Sequence, residues 1–541
     1  MGFTLSLLIY AVIQVIVVTY KEFYEYEVTT NTVSYIQIAQ KYLNGDFRNA
    51  VNGAFGPLES WLLVPLLKLG LAPVLSVSIL NFSAGVLLLI GIRSLSYRFE
   101  MSESLRNIVS FTAVPIVLQF TSMDHVADLL VTCALVYYLT FILSKDYPDR
   151  MYNGALSGAI CAAGYFSKSY ILPFFILHFV LSNFFYCFRF RDKRKNILRN
   201  ALLGLVVFSL FTVPWIIALS DKYDKITVGN SGEYNYRVIG PEAKEPEGDW
   251  WAWSGWHLYT RMGQPVYDQG FFPPSNGTAL NSWEDFSYLV PFMKAWSPFE
   301  SIDNFKHQIK LVLRNTFYTV GILEGSFSLL SSAIIIGYIL INVLPFNNQL
   351  LHKSGFYTLM VLVIYPIGYI LLHPHERYLW VLCIMVLLMG AQLLHFLFQG
   401  DFFNKTRKNV LILFFVLSFA ALPFKNVIGA TNHDRAMYGS LSRQMMEFNK
   451  LQGSIASNDN FSETIKLFFY ADVKLRYYGQ AKKDISDHEL TNELKKYDID
   501  YYLVWYKDGD INNQAGFLSA YKEITNGSVT GLKIYSLKDS N

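Results

Sequence analysis

Long apolar runs recur along this chain, and they constrain its fold more than any other feature. Several approach the roughly 20 residues that a helix needs to cross the hydrocarbon core of a bilayer. Of the 541 residues, 52% are hydrophobic and 16% are charged, whereas soluble chains normally carry about 25% charged residues. The pattern predicts a polytopic α-helical membrane protein with about eleven transmembrane helices, at residues 2–19, 73–92, 106–122, 125–144, 152–166, 170–188, 201–219, 323–345, 355–373, 378–398 and 410–427.

Three apolar stretches need a separate interpretation. The first run is not preceded by a basic segment and has no small-residue cleavage site, so we expect it to be a retained span rather than a signal peptide. Residues 57–70 contain two prolines and are short, which favours a partial or interfacial helix. Hydropathy leaves this segment and residues 307–320 undecided.

Lysine and arginine are distributed unevenly between the connections. Basic residues follow the second, fourth, sixth, eighth and tenth spans, while the alternate short connections hold Lys168 and Arg377. Because basic loops stay in the cytoplasm, we expect the N-terminus inside and three longer segments outside: residues 20–56, residues 220–306 and the tail. This predicts a bacterial cytoplasmic (inner) membrane protein. A net charge of +3 is too small to indicate nucleic acid.

The tail, residues 428–541, has a different pattern from the spans, residues 1–427. Strand-like runs alternate with helical patterns, which predicts a small extracytoplasmic α/β domain. The strand-like runs are Gly453–Ser457, Leu475–Tyr478, Tyr501–Trp505 and Gly531–Tyr535, and the helical patterns are 461–470 and 487–497. No glycine-rich phosphate loop or catalytic cluster occurs there, so we expect a supporting or acceptor-docking role.

The second external segment is rich in aromatic residues, whose faces can stack on the C–H surfaces of sugars. It contains six of the ten tryptophans, among them Trp253, Trp256, Trp283 and Trp296. These residues are candidates for binding a sugar or an acceptor. An aromatic belt at the membrane surface explains the same composition equally well.

Lys168 and Arg377 are expected on the outer side, where positive charge is otherwise avoided. A cation at the membrane boundary is costly unless it reaches water or finds a partner. A phosphate group would be a suitable partner for either residue. Snorkelling to the surface, or a local pair such as Arg377 with Glu376, is the alternative.

Two carboxylates lie on the same predicted face of the membrane. Asp124 and Asp128 are separated by four residues, which puts them on one side of a helix end. Neighbouring carboxylates suit a general base or a divalent-cation site. Capping of the fourth span explains Asp124 but not Asp128. No cofactor is implied with certainty, and metal dependence stays open.

Several motifs together resemble the GT-C class of multispanning glycosyltransferases, which includes protein O-mannosyltransferases and aminoarabinose transferases. The first external segment contains Tyr35 and Gly45-Asp46, and Pro57-Leu58-Glu59-Ser60-Trp61-Leu62 follows it directly; both are similar to motifs of the family. Four further motifs follow in the order expected for the family: Asp128-Leu129-Leu130, Ser167-Lys168, Pro214-Trp215 and Glu376-Arg377-Tyr378. The resemblance covers most of the chain, and it is the order of the motifs that makes it specific.

The resemblance implies inverting transfer of a sugar from a polyprenyl-phosphate donor outside the cytoplasm. The acceptor would be a lipid, a glycan or a protein, and a carboxylate would be the general base on its hydroxyl. The donor phosphate would be held by Lys168, Arg237, Arg377 and Tyr378. Tyr35 and the tryptophans would bind the sugar or the acceptor. Cations stabilise the charge that develops on a phosphate leaving group.

The first loop departs from the family pattern in one respect. Asn31 stands where family members usually carry aspartate, and an amide cannot take a proton as a carboxylate does. Glu25 or Glu27 could correspond to the family base after a different alignment, or Glu59, Asp124 or Asp128 could supply it.

Two other functions fit the same features. A flippase or transporter of a lipid-linked glycan would also have many spans, but no internal repeat is evident and the ionisable residues cluster at one membrane face. A catalytically degenerate GT-C-fold binding protein would explain Asn31. The sugar and the acceptor are not encoded in any motif.

Overall fold

The structure is a computed structural model that describes residues 2–19, 28–123, 126–241, 271–344, 350–429, 435–482, 485–506 and 516–540. These residues are mostly helical, with a small sheet near the C-terminus. The helices up to the second external segment are α1 Gly2–Thr19, α2 Thr30–Leu43, α3 Phe47–Ala50, α4 Pro57–Lys68, α5 Pro73–Ser96, α6 Glu103–Ser122, α7 Val126–Ile142, α8 Tyr152–Ser167, α9 Ile171–Arg189, α10 Arg194–Lys222 and α11 Ser231–Val238. The later helices are α12 Ile302–Ile322, α13 Ser331–Asn342, α14 Ser354–Leu371, α15 Trp380–Leu397, α16 Lys405–Gly429, α17 Arg435–Met445, α18 Phe461–Tyr470 and α19 Asp487–Lys496.

Several helices are suited to crossing a membrane. Among the described residues, seven are long and apolar enough by length and composition, or eight if one bent pair counts as a single span. The peripheral helices α1, α10 and α16 expose many large apolar side chains, whereas α15 is almost completely buried at the centre. Contiguous exposed apolar surface of this kind fits contact with lipid. Each of the eleven predicted ranges overlaps a helix, but the number of crossings stays a prediction.

The predicted span at 323–345 does not form one continuous helix. Helix α12 runs on into a π-helical turn at Leu323–Phe327, and the chain then bends by 111° before α13 begins. Residues 307–320, left undecided by hydropathy, lie inside α12. Apolar composition alone could not show this bend, because a window of hydropathy averages over the break.

The segment 57–70 is a short helix, α4. Its 12 residues span about 18 Å, less than the roughly 30 Å of a hydrocarbon core. Pro57 occupies the first turn, where its fixed φ suits the start of a helix. The partial-helix interpretation therefore agrees with the structure.

Helices α8 and α10 approach each other closely through glycines. A Cβ added at Gly154 would collide with the carbonyl oxygen of Asn200, and one at Gly158 with the carbonyl oxygen of Gly204. Small residues four apart allow helix backbones to pack in this way inside membranes. These contacts lie in the first half of α8, and Lys168 directly follows the opposite end of the same helix.

The C-terminal sheet has five strands: β1 Ser454–Ser457, β2 Arg476–Gln480, β3 Tyr501–Trp505, β4 Tyr521–Glu523 and β5 Leu532–Ser540. Their order is β2-β1-β3-β5-β4, with β1 parallel to both β2 and β3 and the other pairs antiparallel. Helices α18 and α19 provide the crossovers between the parallel strands. The four predicted strands and both helical patterns are present, and β4 was not predicted. The domain boundary at 428 stays a prediction.

The sheet docks against both external segments. Tyr477 N donates to Leu280 O over 2.7 Å, and Phe272 N donates to Tyr478 O over 2.8 Å, so the second segment lies along the free edge of β2. The first segment contacts α18 of the tail, where Val28 N donates to the Tyr470 hydroxyl over 2.9 Å. The tail therefore packs against the loops that carry the candidate site residues.

Candidate functional site

Asp128 lies between two cations that come from distant parts of the chain. It stands in the first turn of α7 and its side chain is almost fully buried. The Lys168 ammonium pairs with Asp128 Oδ1, and Arg377 Nε lies 3.6 Å from Oδ2. The structure therefore brings together three residues predicted separately from the sequence.

Tyr378 completes this group. Lys168 Nζ lies 4.1 Å from the centroid of its ring, and the Arg377 guanidinium carbon lies 5.2 Å from the same centroid. The Arg377 Nη2 also donates to the Tyr378 hydroxyl over 3.3 Å. Aromatic faces attract cations most strongly where water is excluded, so the ring helps to hold both cations at one place. We call Asp128, Lys168, Arg377 and Tyr378 the charge cluster.

Local backbone structure places the two cations. Lys168 directly follows α8 in an extended conformation, with its N–H donating to Gly164 O over 2.9 Å. Arg377 lies in a 3-10 turn, Glu376–Leu379, that leads into α15. The neighbouring Glu376 accepts a hydrogen bond of 2.7 Å from Gln119 Nε2 on α6. Glu376 thus anchors the turn, and Arg377 reaches Asp128 rather than a purely local partner.

Glu59 and Tyr35 lie beside the charge cluster. Glu59 is in the first turn of α4 and only 1% exposed. Burial raises the pKa of the Tyr35 hydroxyl well above its usual value, and the negative charges of Glu59 and Asp128 raise it further. Ser60 Oγ donates to Tyr35 O over 2.9 Å and joins α4 to α2.

Gly56 allows α4 to reach this position. A Cβ there would collide with the carbonyl oxygens of Phe166 and Ser167, immediately before Lys168. The start of the Glu59 helix therefore abuts the end of α8. Two carboxylates and two cations then lie at one end of the helix bundle, where they can hold a phosphate and accept a proton.

Arg237 lies in a different environment. Its Nη1 donates to Val290 O over 3.0 Å and to Met293 O over 2.8 Å, and its Nη2 pairs with Glu233 at 2.7 Å. Burial tends to raise the pKa of Glu233, but hydrogen bonds from Lys225 and Arg237 outweigh it and lower the pKa. These contacts join α11 to the end of the second external segment.

Asn31 and Trp283 contact each other. The Trp283 Nε1 donates to Asn31 Oδ1 over 2.9 Å, and its ring packs against Phe286 and Phe461. Asn31 therefore connects the first external segment to the second, and through Trp283 to the tail. Here its amide oxygen serves as an acceptor from an indole.

Trp296 is packed into the protein. Its ring stacks on Tyr236 at 4.5 Å with an angle of 9°, and its Nε1 donates to Tyr236 O over 2.8 Å. It is 8% exposed. The other candidates, Asp124, Trp253 and Trp256, lie outside the described residues, as do Glu25 and Glu27.

Two ion pairs that hold the second external segment were not predicted from the sequence. Lys41 on α2 pairs with Glu284, and Lys222 on α10 pairs with Asp285 at 3.1 Å. Tyr223 also donates to Asp285, over 2.8 Å. Each pair joins residues far apart in sequence, so no spacing pattern could have indicated it. The two pairs tie the second external segment to α2 and α10.

Metal ligands do not gather in the part of the chain that the structure describes. No group of three or more histidine, cysteine, aspartate or glutamate side chains there could hold an ion. Asp128 lies between Lys168 and Arg377, and these two positive charges electrostatically disfavour a metal cation at the same carboxylate.

Comparisons with known proteins show a likeness at the level of solved structures only. No family model matches the sequence, and no curated protein matches it. Among solved structures, the crystal structure of ArnT from Cupriavidus metallidurans in the apo state is similar at 15% identity and a TM-score of 0.45, and the match covers 98% of this chain and 97% of that chain. A likeness at this level does not establish a shared reaction.

Proposed function

We propose that the protein is a membrane glycosyltransferase that moves a sugar from a polyprenyl-phosphate donor to an acceptor hydroxyl at the outer face of the cytoplasmic membrane. The observation that carries the proposal is the charge cluster: Lys168 and Arg377 converge on Asp128 and Tyr378, with Glu59 and Tyr35 beside them. Four helix ends contribute to it, all at one end of the bundle.

The two cations suit a phosphate that leaves with additional negative charge. As the bond between the anomeric carbon and the phosphate oxygen breaks, its electron pair passes to that oxygen. Lys168 and Arg377 would stabilise this charge, and arginine can do so through two parallel hydrogen bonds. Tyr378 and Asp128 keep both side chains in place before the donor arrives.

A carboxylate would take the proton of the acceptor hydroxyl as its oxygen attacks the anomeric carbon. Glu59 and Asp128 are the candidates among the described residues. Asp128 already serves as counter-ion to two cations, so we assign the base to Glu59 and the positioning of the cations to Asp128. A single displacement of this kind inverts the configuration at the anomeric carbon.

The membrane setting fits such a donor. Its lipid tail would stay in the bilayer while its phosphate reaches the outer ends of α7, α8 and α15. The acceptor would approach from the side of the external segments and the tail. Asn31 bonds to Trp283, which supports assigning the base to a carboxylate elsewhere rather than to this position.

The test is a transfer assay with purified full-length protein in lipid nanodiscs. A panel of polyprenyl-phosphate sugars is supplied, with and without a divalent cation or a chelator, and release of free polyprenyl phosphate is followed. Lys168→Met and Glu59→Gln should lower the rate by about 100-fold or more, as expected for loss of a transition-state contact or a general base. Glu59→Gln should leave donor binding nearly unchanged.

Matched controls separate chemistry from folding. Lys405→Met removes a lysine at the opposite end of the bundle, and Glu447→Gln removes an exposed carboxylate of the tail; both should retain wild-type release. Full activity of Glu59→Gln would exclude it as the base. Donor binding without release from any donor would indicate a degenerate binding protein, and movement of donor across proteoliposomes without release would indicate a flippase.

A further inference from the structure

A cavity of about 300 Å³ lies between α2 and the tail. Its walls come from α2, from the first residues of α5, from the second external segment and from α18 and β2 of the tail. Gln37 and Gln40 are the residues of α2 that line it.

The wall formed by α2 presents amide groups. Gln37 is 8% exposed, and its Oε1 accepts a hydrogen bond of 3.3 Å from Asn281 Nδ2. The Asn281 Oδ1 in turn accepts from Glu284 N over 3.0 Å, so this amide is held in place. Within the described residues, the Gln37 Nε2 and the Gln40 amide make no hydrogen bond to protein. Buried amides normally have partners, and here a ligand could supply them.

The opposite wall is aromatic. Phe468, Phe469, Tyr470 and Tyr477 of the tail line the cavity. Aromatic faces bind the C–H surfaces of sugar rings, while amides bind their hydroxyls. Ligand sites in general combine apolar and aromatic walls with a few fixed polar groups.

The charge of the lining is balanced. Asp472 and Lys474 are its charged residues, and they pair with each other near the mouth, where both are exposed. A phosphate or carboxylate would find no unmatched cation there. Neutral ligands with many hydroxyl groups fit this wall better than anionic ones.

We propose that this cavity binds one or two sugar units of a neutral glycan. Its volume is at the lower end of ligand sites, about 300–1,000 Å³, so it would hold a short segment rather than a long chain. The proposal goes beyond sugar transfer and does not depend on it, because binding here needs neither the donor nor the charge cluster.

The test is saturation-transfer NMR on the full-length protein in nanodiscs without donor. The probes are maltose, cellobiose, mannobiose and chitobiose, with glucose 6-phosphate as an anionic comparison. At least one neutral disaccharide should show transfer of saturation from the protein to its protons, and glucose 6-phosphate should show less transfer. Gln40 is half-buried, and Gln40→Leu should lower the affinity for the disaccharide that binds best by about tenfold or more, because it removes a hydrogen bond to the ligand.

Two further variants make the result decisive. Phe469→Ala should also weaken binding, whereas Gln399→Leu, an exposed glutamine outside the cavity lining, should not. Each variant is compared at an unchanged thermal midpoint, which separates loss of a contact from loss of fold. If no neutral disaccharide binds, or if Gln40→Leu and Phe469→Ala bind as well as Gln399→Leu, the proposal is overturned, whatever the transfer assay shows.

Discussion

The Lys168 ammonium lies 4.1 Å from the centroid of the Tyr378 ring and at the same time pairs with Asp128. These residues follow or begin three different helices, α8, α15 and α7. Lys168 is therefore held from two sides, by a π face and by a carboxylate. Such fixation lowers the entropy cost of binding an anion, since the side chain is already ordered.

The ring of Tyr378 should matter more than its hydroxyl. Tyr378→Leu removes the cation–π contact and should weaken donor binding by roughly 0.5–2 kcal/mol. Tyr378→Phe keeps the ring and should bind the donor nearly as well as the wild type. Donor dissociation constants measured for both variants check this, and equal losses in the two would contradict it.

Asp128 and Lys168 should be energetically coupled. Asp128→Asn or Lys168→Met alone leaves a partly buried charge without one of its partners, so the double variant should be less destabilised than the sum of the two. We expect a coupling of about 0.5–3 kcal/mol from a double-mutant cycle on thermal unfolding. The exposed pair Asp303 and Lys306, 3.3 Å apart, is the control and should couple by less than about 0.5 kcal/mol.

The buried pair of Lys41 and Glu284 should be sensitive to loss of one partner. Burial raises the pKa of Glu284, and the Lys41 charge opposes that rise. Lys41→Met should therefore destabilise the protein by about 3–5 kcal/mol at neutral pH, because a buried carboxylate loses its partner. Adding Glu284→Gln should recover part of this loss in unfolding midpoints, and no recovery would argue against the pair.

Stability should fall as the pH is lowered through the range in which unfolded histidine takes up a proton. Burial lowers the pKa of His375 well below its usual value, and the positive charges of Arg377 and Lys168 act in the same direction. Below about pH 6.5 the unfolded chain takes up a proton and the folded protein does not, so stability is lost progressively as the pH falls below that value.

Unfolding midpoints between pH 7.5 and pH 4.5 test this dependence. The variant His375→Gln should reduce the slope of stability against pH in this range. An unchanged slope in this variant would show that other groups cause the dependence.

The contact between α8 and α10 should not tolerate a larger residue. Gly158→Ala places a Cβ against the carbonyl of Gly204, and overpacking of this kind costs about 1–3 kcal/mol. Gly232→Ala is the control, because nothing lies within 4 Å of a Cβ at that position. The two thermal midpoints should differ clearly, and equal midpoints would mean that the helices can separate without cost.

Much of the secondary structure was predictable because it depends on local pattern. Apolar runs indicated the helices, and the alternation in the tail indicated β1, β2, β3 and β5 together with α18 and α19. The bend between α12 and α13 was missed, since a hydropathy window does not register a change of direction. Strand β4 was missed because its three residues carry too little signal.

The candidate site was predictable only as a set of separate residues. Lys168 and Arg377 were predicted as site residues because basic residues are rare on their predicted side of the membrane. Asp128 was predicted because it lies one turn into a helix, where capping does not explain a carboxylate. Their spacing in sequence, 40 residues between Asp128 and Lys168, gives no indication that they touch. Arg237 was grouped with them, yet it binds carbonyls of the second external segment.

By itself, the sequence determined that this chain belongs largely in a membrane, because long apolar helices have no other stable environment. It also determined where the ionisable residues lie relative to the ends of those helices. Only the tertiary structure decided which of them meet, since contacts between charges depend on how helices pack, and that packing is set by close approaches such as Gly56 against the end of α8 and Gly158 against α10. The same packing brings α2, the second external segment and α18 together around the cavity, a relationship between distant parts of the chain that no local pattern encodes.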